Sequence, residues 1–267
     1  MKVILLSGDQ PDYSNELTSL AGVPVKSRIP LLGKPMVQWV AEALLQSKYV
    51  DHLIIVGMKK EDSPLPEHYP ATYLPMGGSL ADKIITASKY LLENFPEEKR
   101  ALICASDIPL LKPEMVDWFV EACGDQSADF YFSVIEKEST QKKFPGSGRS
   151  FQKMRDGYFA GGDLSMINPK IAVEKEELVR KLTSNRKNFV KQVWAVDKLA
   201  LIKWMLGKLD SKQAEKIASK ALGIKARLVV SKYPELGMDV DKVNQLYIVK
   251  QTLEEQHYGS SSPINVT

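Results

Sequence analysis

Two acidic segments, far apart in the chain, carry the residue types that could hold a divalent cation. Asp107 lies two residues after the end of the apolar run 101–105, and Asp239 lies two residues before Asp241 in a late Gly-Met-Asp-Val-Asp segment. Mg²⁺ prefers oxygen ligands and is often bound by one or two carboxylates together with substrate phosphates. Asp107 and Asp239 therefore form a candidate metal pair. The simpler interpretation is that Asp107 and Asp241 only cap helices.

The segment after the first apolar run could bind phosphates. Ser7 and Gly8 follow that run, and a glycine at such a point lets the backbone approach a phosphate closely. Lys26 and Lys34 stand on either side of an apolar turn, where cations could neutralise a triphosphate. The alternative is that these lysines are solvated side chains at the mouth of a helix.

Two further glycine segments are candidates for ligand contact. Gly77 and Gly78 come just before Ser79 and a predicted helix, an arrangement whose backbone N–H groups can bind an anion or the edge of a base. Gly162 follows another glycine and precedes Asp163, and paired glycines often mark a close approach of two backbones. The simpler interpretations are a helix cap at Ser79 and a twist in a hairpin at Gly162.

Alternating strands and helices are predicted to position these residues. The pattern predicts strands at residues 2–6, 53–56, 72–74, 101–105, 129–134 and 226–231, and helices at 36–47, 80–92, 113–123 and 243–256. Continuously apolar strands are typical of a mostly parallel sheet with helices on both faces. The expected fold class is therefore α/β, a Rossmann-like three-layer sandwich, with ligands at the carboxyl ends of the strands.

The remaining elements extend this domain. Residues 155–158 predict the tight turn of a hairpin. Residues 174–223 are Lys-rich and have a helical pattern, which predicts a helical subdomain inserted into a domain of residues 1–256. Residues 257–267 are Ser-rich and are expected to form a flexible tail.

Composition limits the classes of partner. The net charge of +3 is spread over 267 residues without a basic stripe, which argues against nucleic acid as a partner. The longest apolar runs are too short to span a membrane, and we expect no secretory signal. With only two cysteines and no such signal, we do not expect a disulfide. We expect a cytoplasmic location.

Taken in order, four segments resemble the nucleoside-triphosphate transferase superfamily. They combine a glycine after the first strand, a Lys ahead of an apolar turn and Gly-Lys-Pro, an Asp after the central strand, and a late Asp-x-Asp before the last helix. They are residues 3–8, 26–36, 106–111 and 237–241. The middle of the chain resembles a subgroup with a molybdopterin-guanylyltransferase-like NTP transferase domain. The resemblance implies the GT-A-like fold of the nucleotide-diphospho-sugar transferases.

The resemblance also implies an activity. An NTP would donate its nucleotide to a small phosphorylated acceptor and release pyrophosphate, with Mg²⁺ or Mn²⁺ as cofactor; a homodimer is one option for the assembly. Lys26 and Asp107 would be catalytic, and Asp107 and Asp239 would be the metal ligands. The nucleotide-binding residues would be Ser7, Gly8, Lys26, Gly77, Gly78 and Ser79. The residues assigned to the acceptor are Lys153, Arg155, Gly162 and Asp163.

One departure from the family pattern keeps two alternatives open. The first loop in the family has several glycines and an Arg, whereas here Asp9 and Asp12 follow Gly8 and place negative charge near a triphosphate. Arg28 could compensate for the missing Arg. The alternatives are a metal-dependent glycosyltransferase that uses a nucleotide-sugar, and a catalytically inactive relative that binds a nucleotide or a partner.

Overall fold

The computed structural model of the chain describes residues 1–8, 15–184 and 206–259, and its centre is one sheet of eight strands. The strands of this sheet are β1 Lys2–Leu6, β4 His52–Val56, β5 Ala71–Leu74, β6 Ala101–Ala105, β7 Phe130–Glu136, β8 Gln152–Met154, β9 Gly157–Ile167 and β10 Ala226–Ser231. The two short strands β2, Pro30–Leu31, and β3, Lys34–Pro35, pair with each other.

The order of the strands places β1 in the interior of the sheet. The order is β10-β7-β9-β6-β1-β4-β5, with β8 paired to β9. β1 is parallel to both β4 and β6, β4 is parallel to β5, and β7 is parallel to β10. β9 runs antiparallel to its neighbours β6, β7 and β8. The predicted, mostly parallel sheet is confirmed. β9, the strand after the predicted turn at residues 155–158, runs antiparallel between β6 and β7, a position that the sequence did not indicate.

Helices cover the sheet and its carboxyl edge. They are α1 Asn15–Ala21, α2 Met36–Leu45, α3 Leu80–Asn94, α4 Pro113–Ala122, α5 Lys137–Lys143, α6 Pro169–Glu174, α7 Glu176–Ser184, α8 Ser211–Leu222 and α9 Val243–Tyr258. Apolar residues of α2 and α4 pack on one face of the sheet with Val3 and Leu5 of β1. Apolar residues of α3 and α6 pack on the other face with Ile4. This alternation within β1 makes the three layers that the sequence predicts.

A separate apolar cluster lies at one end of the sheet and joins segments that are distant in sequence. Leu17 of α1 and Leu246 of α9 contribute to it, together with Leu31, Leu110 and Met238. The last three residues stand a few positions away from Lys26, Asp107 and Asp239 respectively. Burial of this cluster therefore holds the three candidate segments against one another.

The structure extends or corrects several sequence expectations. The turn between β8 and β9 confirms the predicted hairpin. α5 lies in a segment for which no helix was predicted, and α9 continues to Tyr258, so residues 257 and 258 belong to a helix and not to a tail.

Part of the predicted helical subdomain, residues 185–205, and the tail residues 260–267 lie outside the described residues. The division into domain and subdomain stays a prediction. None of the described helices has the length and apolar character needed to cross a lipid bilayer.

Candidate active site

The centre of the candidate site is an ammonium group held between two carboxylates. Lys26 begins a short 3₁₀ turn, Lys26–Arg28, and Asp107 follows β6. The Nζ atom of Lys26 lies 2.6 Å from Oδ2 of Asp107 and 2.7 Å from Oδ1 of Asp241. Burial works to lower the pKa of Lys26, but the charges of the two aspartates outweigh burial and raise it above its usual value. Lys26 is therefore a permanently charged group at the carboxyl edge of the sheet.

Asp239 lies on the same edge and is paired with an arginine. The backbone N–H of Val240 donates to the carbonyl oxygen of Asp107 at 3.0 Å, which joins the late acidic segment to the end of β6. The carboxylate of Asp239 accepts a hydrogen bond from the guanidinium of Arg149. The two predicted metal ligands, Asp107 and Asp239, therefore occupy neighbouring segments. The identification of either as a ligand stays a prediction.

Arg149 also reaches β9, and no sequence pattern indicated it as a site residue. It donates to the carbonyl oxygen of Gly161 at 2.5 Å, and it lies 3.8 Å from Oδ2 of Asp163. The pairing register of β7 and β9 shifts opposite Ser133, between Gly161 and Ser165, and Asp163 lies within this irregular stretch. The one available signal for Arg149 was its position directly after the Gly-Ser-Gly segment 146–148.

The cluster contains more negative than positive charge. Burial and the carboxylates of Asp239 and Asp107 raise the pKa of Asp163 well above its usual value. Burial likewise raises the pKa of Asp239 to about 6, although Arg149 opposes the shift. The pKa of Asp241 falls below its usual value, because its hydrogen bond with Asp239 and the Lys26 ammonium outweigh burial. Four aspartates share two cations here, so the site is suited to an additional positive charge.

Two carboxylate oxygens in this cluster have unused hydrogen-bonding capacity. Oδ1 of Asp107 and Oδ2 of Asp163 are buried and have no hydrogen-bond partner in the described structure. A buried acceptor without a partner is costly, and a cation supplied from outside would remove that cost. No group of three or more His, Cys, Asp or Glu side chains among the described residues is arranged to hold a metal ion. Any ion bound here would share its coordination with a ligand, which is the usual situation for Mg²⁺.

Ser7 and Gly8 lie at the carboxyl end of β1, beside the acidic cluster. The N–H of Ser7 continues the ladder by donating to the carbonyl oxygen of Val56 at 2.9 Å. Within the described residues, the hydroxyl of Ser7 is buried and has no hydrogen-bond partner. A Cβ atom on Gly57, which follows β4, would lie 3.2 Å from Cα of Gly8. The two backbones approach each other this closely because both positions are glycine.

Gly77, Gly78 and Ser79 form an exposed entrance to α3. Ser79 is the N-cap of this helix, and its hydroxyl accepts from the N–H of Asp82 in a reciprocal capping box. The carboxylate of Asp82 also pairs with Arg180 of α7. The structure thus accounts for Ser79 as a helix cap, and its contact with a base stays a prediction, as do those of the two glycines.

The residues assigned to the acceptor fall in two places. Gly162 and Asp163 lie in β9 beside the acidic cluster, with Gly162 against the hydroxyl of Ser133. Arg155 instead pairs with the carboxylate of Asp210, and its N–H donates to the carbonyl oxygen of Leu209. Lys153 lies along Gly207. Lys153 and Arg155 therefore pack on the segment before α8, and the acceptor role of all four residues stays a prediction.

Arg28, the suggested replacement for the missing loop arginine, points to another segment. Its guanidinium donates to the carbonyl oxygen of Asp62, and one nitrogen lies 3.8 Å from the Asp62 carboxylate. These contacts connect the 3₁₀ turn to the loop between β4 and β5. Among the described residues, these hydrogen-bond and charge contacts of Arg28 are with Asp62 and not with the end of β1.

Comparison with known proteins identifies the family to which this geometry corresponds. The family described as "MobA-like NTP transferase domain" matches residues 3–198. A solved structure described as a hypothetical transferase from Thermus thermophilus is 30% identical, covers 92% of this chain and 98% of its own, and superposes with a TM-score of 0.76. No curated protein matches the sequence significantly.

Two more distant structures share the fold. A CMP:2-keto-3-deoxy-manno-octonic acid synthetase in complex with CTP is 12% identical over 95% of this chain and 98% of its own, with a TM-score of 0.61. A 4-diphosphocytidyl-2C-methyl-D-erythritol synthase is 13% identical over 94% of this chain and 98% of its own, with a TM-score of 0.56. At these identities the likeness concerns the fold, and it agrees with the predicted GT-A-like sandwich.

Proposed function

The chain belongs to the MobA-like NTP transferase family and is a nucleotidyltransferase, and from this premise we propose that it transfers the nucleotide of an NTP to a small phosphorylated acceptor. The observation that carries the proposal is the position of Lys26. Its ammonium lies between Asp107 and Asp241 at the carboxyl edge of the sheet, beside the glycine backbone that follows β1. Ligands of open α/β sheets bind at this edge.

The proposed reaction needs charge stabilisation more than proton transfer. A phosphate oxygen of the acceptor attacks the α-phosphorus of the NTP, the bond between the α-phosphorus and the bridging oxygen breaks, and pyrophosphate leaves with the electron pair. The acceptor phosphate is already ionised at neutral pH, so no general base is required. Lys26 remains protonated because its pKa is raised, and its ammonium would donate to an oxygen of the transferring phosphoryl group.

Asp107 and Asp239 would hold a divalent cation, Mg²⁺ or Mn²⁺, together with phosphate oxygens of the substrate. The support for this part of the proposal is the unsatisfied Oδ1 of Asp107 and the excess of carboxylates over cations around it. When bound, such an ion supplies positive charge that offsets the charge developing on the phosphate oxygens. Arg149 would keep Asp239 in position through its hydrogen bond.

The NTP and the acceptor would bind on opposite sides of this cluster, with their reacting phosphates next to it. Ser7, Gly8, Gly77, Gly78 and Ser79 would contact the NTP, and Gly162 with Asp163 would border the acceptor. Lys153 and Arg155 are retained as acceptor residues only as sequence predictions. A cytoplasmic location and a homodimer also stay predictions.

The experiment measures pyrophosphate release from ATP, GTP, CTP and UTP with Mg²⁺ and a panel of small phosphorylated acceptors. We expect release with one NTP that depends on both acceptor and metal, and we expect Asp107→Asn to reduce it by at least about 100-fold. Asp51→Asn, which changes an exposed aspartate paired with Lys2, is the matched control and should leave the rate unchanged. Release of a nucleoside diphosphate from a nucleotide-sugar would instead favour a glycosyltransferase, and full activity of Asp107→Asn would refute the assignment of Asp107.

A further inference from the structure

A buried lysine lies on the opposite side of β1 from the acidic cluster. Lys83 is in the first turn of α3, where its N–H donates to the carbonyl oxygen of Ser79 at 3.1 Å. Its side chain is only 8% exposed. Lysine is almost never buried to this extent in folded proteins unless its charge is paired, so the position of its ammonium group is informative.

Two glycines make room for the ammonium group of Lys83. A Cβ atom added to Gly8 would lie 2.7 Å from Nζ of Lys83, and one added to Gly57 would lie 3.3 Å from it. Gly57 also has a φ of +97°, a backbone conformation that favours glycine. The Lys83 ammonium is therefore brought by α3 to the point where β1 and β4 end.

The charge of Lys83 matters because the loop after β1 carries no cation of its own. Between Gly8 and Lys26 the sequence contains no Lys and no Arg, and it contains Asp9 and Asp12. The Lys26 ammonium is the group proposed above to contact the transferring phosphoryl group. The remaining phosphates of a triphosphate at this edge would need a positive charge from another element of the fold.

We propose that Lys83 binds the phosphate chain of the nucleotide, and that α3 thereby supplies the positive charge that the first loop lacks. The inference rests on the proposed function and adds a specific residue to it. The geometric observation behind it is the position of Nζ of Lys83 beside Gly8 and Gly57, at the ends of β1 and β4.

The test compares Lys83→Met, Lys83→Arg and the unmodified protein by calorimetric titration. The probes are the NTP that binds best among ATP, GTP, CTP and UTP, its nucleoside, and pyrophosphate, all with Mg²⁺. We expect Lys83→Met to weaken binding of the NTP and of pyrophosphate by about 10- to 100-fold and to leave nucleoside binding unchanged. We expect Lys83→Arg, which retains the charge, to recover part of that loss. The matched control is Lys89→Met, on the same helix, which removes an exposed lysine paired with Glu176.

A second variant addresses a purely structural role for Lys83. Gly8→Ala would press a methyl group against the ammonium of Lys83, so it should weaken NTP binding less in the Lys83→Met background than in the unmodified protein. Equal effects of Gly8→Ala in both backgrounds, or a Lys83→Met protein that melts earlier but binds the NTP and nucleoside in the original ratio, would overturn the inference.

The outcomes also separate this inference from the proposed function. If Lys83→Met keeps the NTP affinity of the unmodified protein while Asp107→Asn loses transfer, then Lys83 is not a phosphate ligand and the transferase proposal stands. If the unmodified protein binds neither an NTP nor pyrophosphate, both proposals fail.

Discussion

The two sides of β1 carry opposite charge at one edge of the same sheet. On one side, Asp107 and Asp239 belong to a cluster in which aspartates outnumber the neighbouring cations. On the other side, Gly8 and Gly57 leave space for the ammonium of Lys83 and contribute no charge. We call these the carboxylate side and the glycine side. The carboxylate side is suited to bind a cation, whereas the glycine side is suited to bind an anion.

The two sides also differ in how they are held. The carboxylate side is assembled from segments that are far apart in sequence, with 215 positions between Lys26 and Asp241, and a separate apolar cluster packs beside it. The glycine side is formed by the ends of two neighbouring parallel strands and one helix of the central sandwich. The carboxylate side therefore depends on long-range packing, and its geometry is the more sensitive to substitution.

Among substitutions that test the difference between the two sides, we expect Lys26→Met to have the largest effect on transfer activity. It removes the cation shared by Asp107 and Asp241, so transfer should fall by about 100- to 1000-fold. The free energy of unfolding should also fall by about 1–3 kcal/mol, because two carboxylates lose their partner. Initial-rate kinetics and urea unfolding measure the two effects.

The control for Lys26→Met is Arg155→Met. Arg155 pairs with Asp210, but it is 61% exposed, so its loss should change the free energy of unfolding by less than about 1 kcal/mol. If both variants destabilised the protein equally, the carboxylate side would have no special dependence on its cation. A large rise in the KM for the acceptor in Arg155→Met would support the sequence-based assignment of Arg155 to acceptor binding.

A smaller effect, on stability, is expected from Asp239→Asn. The pKa of Asp239 in the folded protein is about 6, above its usual 3.8, so the ionised form is disfavoured in the folded state. The stability that comes from the raised pKa of Asp239 is therefore fully present below about pH 4, where Asp239 is protonated, and is lost as the pH rises through 6. An asparagine cannot ionise, so without Mg²⁺ the variant should melt several degrees higher than the unmodified protein at pH 7.5, and the gain should disappear toward pH 4.

Thermal melts over this pH range, together with transfer assays, measure that effect. The same variant should lose transfer activity, because a carboxylate proposed to hold the metal is gone. A variant that melts lower at pH 7.5 would contradict the account, since it would mean that the attraction between Asp239 and Arg149 outweighs burial and the neighbouring carboxylates.

The sequence predicted the sheet well because its strands are continuously apolar and buried on both faces, as in residues 101–105. The place of β9 between β6 and β7 was not indicated, because it depends on pairing partners that are remote in sequence, whereas its pairing with β8 followed from the predicted hairpin turn. Asp107 was identified as a candidate because it follows a central strand, and Asp239 because it begins a late Asp-x-Asp segment, although helix capping remained the alternative for Asp107. Arg149 and Lys83 were missed for a different reason. A lysine in a helix or an arginine in a polar loop usually lies in solvent, and only the path of the chain brings these two to the site.

The most direct measurement for the central claim is the thermal stability of the protein with ATP, GTP, CTP and UTP, each with and without Mg²⁺. A ligand that binds the folded state raises the unfolding midpoint. The account predicts a rise with at least one NTP that depends on Mg²⁺ and is lost in both Asp107→Asn and Asp239→Asn. The absence of any rise with all four NTPs, or an equal rise in the two variants, would contradict it.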